Sequence, residues 1–92
     1  MEKVRAHVFF DGYVQGVFFR AFTRDQAIRY RVSGWVKNLP DRRVEAVFEG
    51  DYNMVAEILK VCQKGPPGAR VLNTTVDWKE YTGEFSGFSI RY

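Results

Sequence analysis

Residues 13–22 read YVQGVFFRAF, from Tyr13 to Phe22, and a change of period inside them decides the fold. Upstream, residues 4–11 alternate. Val4, Ala6, Val8 and Phe10 point one way, and Arg5, His7, Phe9 and Asp11 the other, which is a strand with one buried face. Gly12 permits a bulge or bend. Downstream, over residues 19–30, Phe19, Phe22, Thr23, Gln26, Ala27 and Tyr30 share a helical stripe, with Ile28 off it. The stretch is therefore a strand-to-helix junction turning on Gly16. It also sets Arg20 among Phe18, Phe19 and Phe22, aromatic rings on both sides that would help exclude water, and a desolvated cation needs a negative partner. That partner is either a neighbouring carboxylate or a ligand.

Working outward, residues 33–38 (SGWVKN) read as a short second strand, and LPDRR turns the chain on Pro40 and Asp41. Val44, Ala46 and Phe48 mark one face of a third strand. Asp51 is placed to cap a helix over residues 52–64, where Val55, Ile58, Leu59 and Cys62 fall at i, i+3, i+4 and i+7. GPPG ends that helix. Residues 70–79 form a fourth strand, EYTGEFSG reverses the chain, and residues 88–92 form a short last one. The order predicts an α+β fold, a ferredoxin-like βαββαβ sandwich with two helices on one face of a mostly antiparallel sheet and a short extra C-terminal strand. In the strand order 4-1-3-2, the first and second strands run parallel with the third between them. The loop from Gln15 to Arg20 and the strand end at Asn38 then share one edge. His7, mid-strand and roughly 25 Å of chain from Gln15 at ~3.3 Å per residue, does not serve that edge.

A chain of 92 residues, 46% hydrophobic and 16% aromatic, supports one domain with one core, spanning 1–92. The single cysteine, Cys62, excludes an internal disulfide, and with His7 as the only histidine a Cys/His metal cage is not expected. No run approaches the ~18–20 apolar residues of a membrane span, and the N-terminus shows no signal-peptide pattern. The expectation is a soluble, cytoplasmic monomer. A net charge of +3 favours anionic partners but is too small to indicate nucleic-acid binding.

A glycine turn entering a helix leaves main-chain N–H groups without partners, and these with the helix dipole make an anion seat. Gln15, Gly16, Val17, Phe18 and Phe19 supply such amides, Gly16 lets the backbone curl into a nest, and Arg20 adds a fork of donors matched to phosphate oxygens. No Gly-Lys-Ser/Thr follows Gly16, so this is not a Walker loop, and G-x-G-x-x-G is absent. The plainer alternative makes Arg20 a helix-start residue paired with a surface carboxylate and Gly16 only a turn. Asn38 is either a turn former before LPD or an amide whose oxygen and nitrogen hold one water. Local sequence does not choose between them. Cys62, Trp35 and Trp78 read as packing residues, and Lys37 and Arg24 as solvated surface charges.

GYVQGVFFR (12–20) resembles the signature of acylphosphatases, usually G-x-V-Q-G-V-x-F-R. VSGWVKNLPD, VEAVFEGD, KGPPGARV and FSIRY resemble the same family, in its order and spacing, over essentially the whole chain. The resemblance implies metal-independent hydrolysis of acyl phosphates to a carboxylate and inorganic phosphate, with no cofactor. The family's phosphate-binding arginine falls on Arg20 and its water-positioning asparagine on Asn38, and phosphate is expected as product and competitive inhibitor. Two positions depart from the pattern: Arg42 follows Asp41 where glycine is usual in the hairpin, and Phe18 stands where bacterial members often carry glycine.

A site without a histidine base, paired carboxylates or a metal cluster would not easily expel an alkoxide. A carboxylate, whose conjugate acid has a pKa of about 4, leaves unaided. Sparse machinery thus points to an activated substrate. The last strand, returning toward the site edge, would bring the α-carboxylate of Tyr92 near Arg20 as an orienter of its fork; the alternative is a frayed terminus. Two rival functions share the fold. An RNA-recognition module needs stacking aromatics and Lys where Glu45 and Glu49 stand, so no nucleic-acid partner is expected. An anion-sensing domain would keep the loop and have no use for Asn38.

Overall fold

The alternating pattern of the first strand becomes β1 (Lys3–Tyr13), longer than the pattern at both ends. It is followed by α1 (Phe19–Arg29), β2 (Ser33–Asn38), β3 (Val44–Asp51), α2 (Tyr52–Lys64), β4 (Arg70–Lys79) and β5 (Phe88–Arg91) in a computed structural model that describes residues 2–92. The strands lie in the order β4-β1-β3-β2-β5. β3 is antiparallel to both β1 and β2, and β5 runs parallel to β2. α1 packs across β2 and β5, and α2 across β3, β1 and β4. Both helices cover the face that carries Ala6, Val8, Phe10, Val36, Val44, Ala46 and Phe48, and with Phe19, Ala27, Val55, Ile58 and Cys62 these form the core. Burial pushes the Cys62 thiol up to about 12. No helix among the described residues is long and apolar enough to cross a membrane.

The register aligns β1 and β2 through the start of β3. Val44 opens β3 and pairs with Phe10 on one side and Asn38 on the other. Phe10, three residues before the end of β1, and Asn38, the last residue of β2, therefore stand on one rung, roughly 9–10 Å apart at ~4.8 Å per strand. At Gly12 the pairing with β4 slips by a residue. Gly12 has φ +130°, and a Cβ there would meet the Arg70 carbonyl oxygen at 2.1 Å. The bulge bends β1 just before its loop.

Helix ends depart from expectation in two places. α1 stops at Arg29, one residue short, because Arg31 adopts φ +58° and the Val32 and Arg31 N–H groups bond back to the Ala27 and Ile28 carbonyls at 2.8 and 3.2 Å. This is a Schellman closure with arginine in the usual glycine position. Asp51 occupies the N-cap of α2, but its side chain does not cap. Lys3 faces it across the β1–β3 ladder and takes its carboxylate at 3.1 Å, while the Tyr52 N–H is satisfied by the Glu2 carbonyl at 2.9 Å.

The face away from the helices is partly covered by the β4–β5 connection. Glu49, which alternation assigns to that open face, is fully buried. Its Oε2 accepts from the Thr82 N–H and hydroxyl, both at 2.9 Å, and from Arg5 at 3.3 Å; its Oε1 accepts from the Gly83 N–H at 3.1 Å. Arg5 also donates to Glu84 at 2.6 Å, which holds the Glu84 carboxyl below its usual range. One buried carboxylate thus pins the connection that delivers β5. Glu49→Gln replaces two acceptors with one acceptor and a donor facing donors. We expect a loss of about 2 kcal/mol, or roughly 10 °C in Tm, by thermal unfolding.

Candidate active site

β1 leaves the sheet at Tyr13, and the chain enters α1 at Phe19. Between them, Gly16 and Phe18 hold φ +75° and +60°, and Val17 lies outside that region. Such alternation of hand gathers successive N–H groups on one side of the chain, as in anion-binding nests. Phe18 is the N-cap of α1 without a side-chain cap, and its carbonyl takes the Phe22 N–H at 2.9 Å. The N–H groups of Phe19, Arg20 and Ala21 therefore start the helix with no intrahelical acceptor. Among the described residues, nothing accepts a hydrogen bond from the N–H groups of Gln15, Gly16, Val17 or Phe18.

Two adjacent phenylalanines take opposite directions. Phe19 is buried, its ring edge-on to Phe10 at 5.1 Å, which ties the helix start to β1. Phe18, in the left-handed conformation, is turned out and is 83% exposed. The expectation that aromatic rings on both sides shut water away from Arg20 is corrected accordingly: Phe19 belongs to the core and Phe18 to the surface. Arg20 is half-buried, and its guanidinium carbon lies 4.9 Å from the centre of the Tyr92 ring. Among the described residues, it forms no ion pair and no side-chain hydrogen bond.

Asn38 arrives by strand parity. It shares the helix-covered face with Val36, which pairs with Ile90 across the parallel ladder, and Tyr92 follows the end of β5 as an exposed residue. Both parallel strands end here, at the head of α1. The result is a cavity of about 300 Å³ lined by Gly16, Phe18, Phe19, Arg20, Asn38 and Tyr92, together with Val14, Ala21 and Ile90. The Asn38 Oδ1 is buried and has no hydrogen-bond partner.

Gln15 and Val17, the other two residues of the expected loop, line a neighbouring cavity with Tyr13 and Arg42. His7 lies on the open sheet face, 2.6 Å from Glu45. Among the described residues, no group of three His, Cys, Asp or Glu side chains is set to hold a metal ion. The sequence reading missed Val14, Ala21 and Ile90 as wall residues; the parity of Ile90 with the terminal Tyr92 could have found it, and nothing in the local sequence marks Val14 or Ala21. Arg42 takes φ +75°, the glycine-like conformation its position demands, while the Arg43 main-chain N–H donates to Asp41 at 3.1 Å and holds that carboxyl below its usual range.

The acylphosphatase family model matches residues 6–90, which takes in every wall of the cavity except Tyr92. The chain belongs to the acylphosphatase family. It is 53% identical over 92 residues to an acylphosphatase of Pelotomaculum thermopropionicum, covering the whole of both chains. It is 54% identical over 91 residues to that of Pyrobaculum islandicum, covering 98% of this chain and 96% of the relative. The crystal structure of acylphosphatase from Bacillus subtilis superposes with a TM-score of 0.94 at 34% identity, covering 97% of this chain and 99% of that one. The five-stranded sheet with two helices is thus the ferredoxin-like acylphosphatase fold.

Proposed function

We propose that this domain hydrolyses acyl phosphates in the cavity at the head of α1, without a metal or cofactor, and acts as a cytoplasmic monomer. The observation that carries the reading is a division within one cavity. Unpartnered main-chain donors and an unpaired guanidinium stand on the loop side, and a buried, unpartnered acceptor, the Asn38 Oδ1, stands on the strand side. The first set fits the equatorial oxygens of a phosphoryl group, whose charge fixed donors stabilise. Arg20 supplies the fork that spans two of those oxygens. Tyr92 backs the guanidinium through its ring. Asn38 accepts a hydrogen bond from the attacking water and aims it at phosphorus.

Phosphoryl transfer is loose, so the water needs position more than deprotonation. Its oxygen bonds to phosphorus, and the phosphorus–oxygen bond to the acyl group breaks with its electron pair remaining on the carboxylate. The water's proton passes to a phosphoryl oxygen of the substrate. The products are a carboxylate and inorganic phosphate, and phosphate competes for the seat it leaves.

The test is an assay with chelator present, comparing acetyl or benzoyl phosphate with an aryl phosphate monoester. Without a general acid, the monoester should be slower by about 10²–10⁴-fold. Equal rates, no acyl phosphate turnover, or loss of turnover on chelation would overturn the proposal.

A further inference from the structure

Beside the cavity, the Gln15 side chain ties the loop that leads to Arg20 to the hairpin that follows Asn38. Its Nε2 donates both of its hydrogens across the molecule, to the Leu39 carbonyl at 2.9 Å and to the Arg43 carbonyl at 3.0 Å. Leu39 is the residue after Asn38, and Arg43 precedes Val44, the β3 partner of Asn38. The same two carbonyls close the hairpin: the Arg43 carbonyl accepts from the Leu39 N–H at 2.8 Å, and the Leu39 carbonyl from the Arg42 N–H at 3.1 Å. Gln15 is thus bonded at the neck of the hairpin whose first arm ends in Asn38, while its own main chain belongs to the loop that ends in Arg20. No other side-chain hydrogen bond among the described residues joins loop 14–18 to residues 38–43.

We infer that the Gln15 side chain is a positioning strut for the reaction, setting the separation between the phosphoryl seat and the water held by Asn38. This rests on the proposed acyl phosphate hydrolysis. Both hydrogens of one rigid amide are committed to two carbonyls, so its place relative to the hairpin is fixed in two directions. The phosphoryl group is held by the loop and the water by the hairpin, so an error in their spacing falls on the attack distance. Such an error of about 1 Å costs on the order of 100-fold in rate. It leaves the grip of Arg20 and the loop amides on phosphate in place.

The test uses Gln15→Met, which keeps length and loses both donors, and Gln15→Glu, which keeps shape and turns oxygens toward the two carbonyls. Each is measured alone and on an Asn38→Ala background, with folding followed by thermal melts. We expect kcat for acetyl phosphate to fall by about 10–100-fold, with the inhibition constant for inorganic phosphate changed less than about threefold. On the Asn38→Ala background the same substitutions should cost less than about twofold in kcat, because the group they position is gone. A loss of phosphate affinity in step with kcat, or the same loss on both backgrounds, would show Gln15 to be loop scaffolding only and overturn the inference. So would unchanged kcat in both single variants. Wild-type protein without acyl phosphate turnover would overturn the functional reading and this inference together, and is told apart by that control.

Discussion

Arg20→Ala should lose turnover and phosphate binding together while the protein stays folded. The structure separates the two outcomes because the guanidinium has no protein anion to abandon; among the described residues it forms no ion pair or side-chain hydrogen bond, and it lies 4.9 Å from the Tyr92 ring. An exposed cation–π pair contributes about 0.5–1 kcal/mol, so the melting temperature should move by only a few degrees. The phosphoryl group, by contrast, loses a charged two-pronged donor. Hydrogen bonds to charged groups are worth about 1.5–3 kcal/mol each, so the inhibition constant for phosphate should rise by at least about 100-fold. Turnover should fall further, by about 10³–10⁵, as for other arginines that stabilise a transferring phosphoryl group. Arg20→Lys restores charge without the planar fork and should recover affinity before it recovers rate. A folded Arg20→Ala protein that binds phosphate as wild type does would place the anion seat elsewhere.

Most of the architecture was legible because it rests on period. Alternation in residues 4–11 gives the buried face of β1, the i, i+3, i+4, i+7 set gives α2, and the chain order puts Gln15 to Arg20 beside Asn38. What escaped were side chains whose direction is set by contacts remote in sequence. Asp51 looked like a cap, and Lys3, 48 positions away, claims it. Glu49 alternates onto the open face, and only the path of the β4–β5 connection, which has no period of its own, buries it. Phe18 was read as a screen for Arg20, but a left-handed backbone turns it into solvent. The Gln15 side chain reaches 24 and 28 positions ahead to the two carbonyls it holds, a distance that no local pattern encodes. The identity of the chemistry likewise came from elsewhere: the loop alone fits any small anion, and the resemblance to acylphosphatases narrowed it.

Asn38→Ala gives the converse separation, with turnover lost and phosphate affinity kept. The Asn38 Oδ1 is buried and accepts no hydrogen bond from the protein, so its removal breaks no protein hydrogen bond accepted by that oxygen and should leave the melting temperature little changed. An acceptor that the fold leaves unpaired at a cavity wall is open to a partner supplied by the reaction. If that partner is the attacking water, kcat should fall by about 10²–10³, the range seen when a single preorganised polar group is removed from a reacting centre. The inhibition constant for phosphate should change by less than about threefold, because the loop amides and Arg20 remain. Asn38→Asp sharpens the contrast: a carboxylate in the same place would repel a phosphoryl dianion across a cavity of about 300 Å³, so affinity and rate should fall together. Measured by steady-state kinetics and phosphate inhibition, an Asn38→Ala protein that loses affinity as steeply as rate would assign Asn38 to the anion seat and leave the attacking water without a holder.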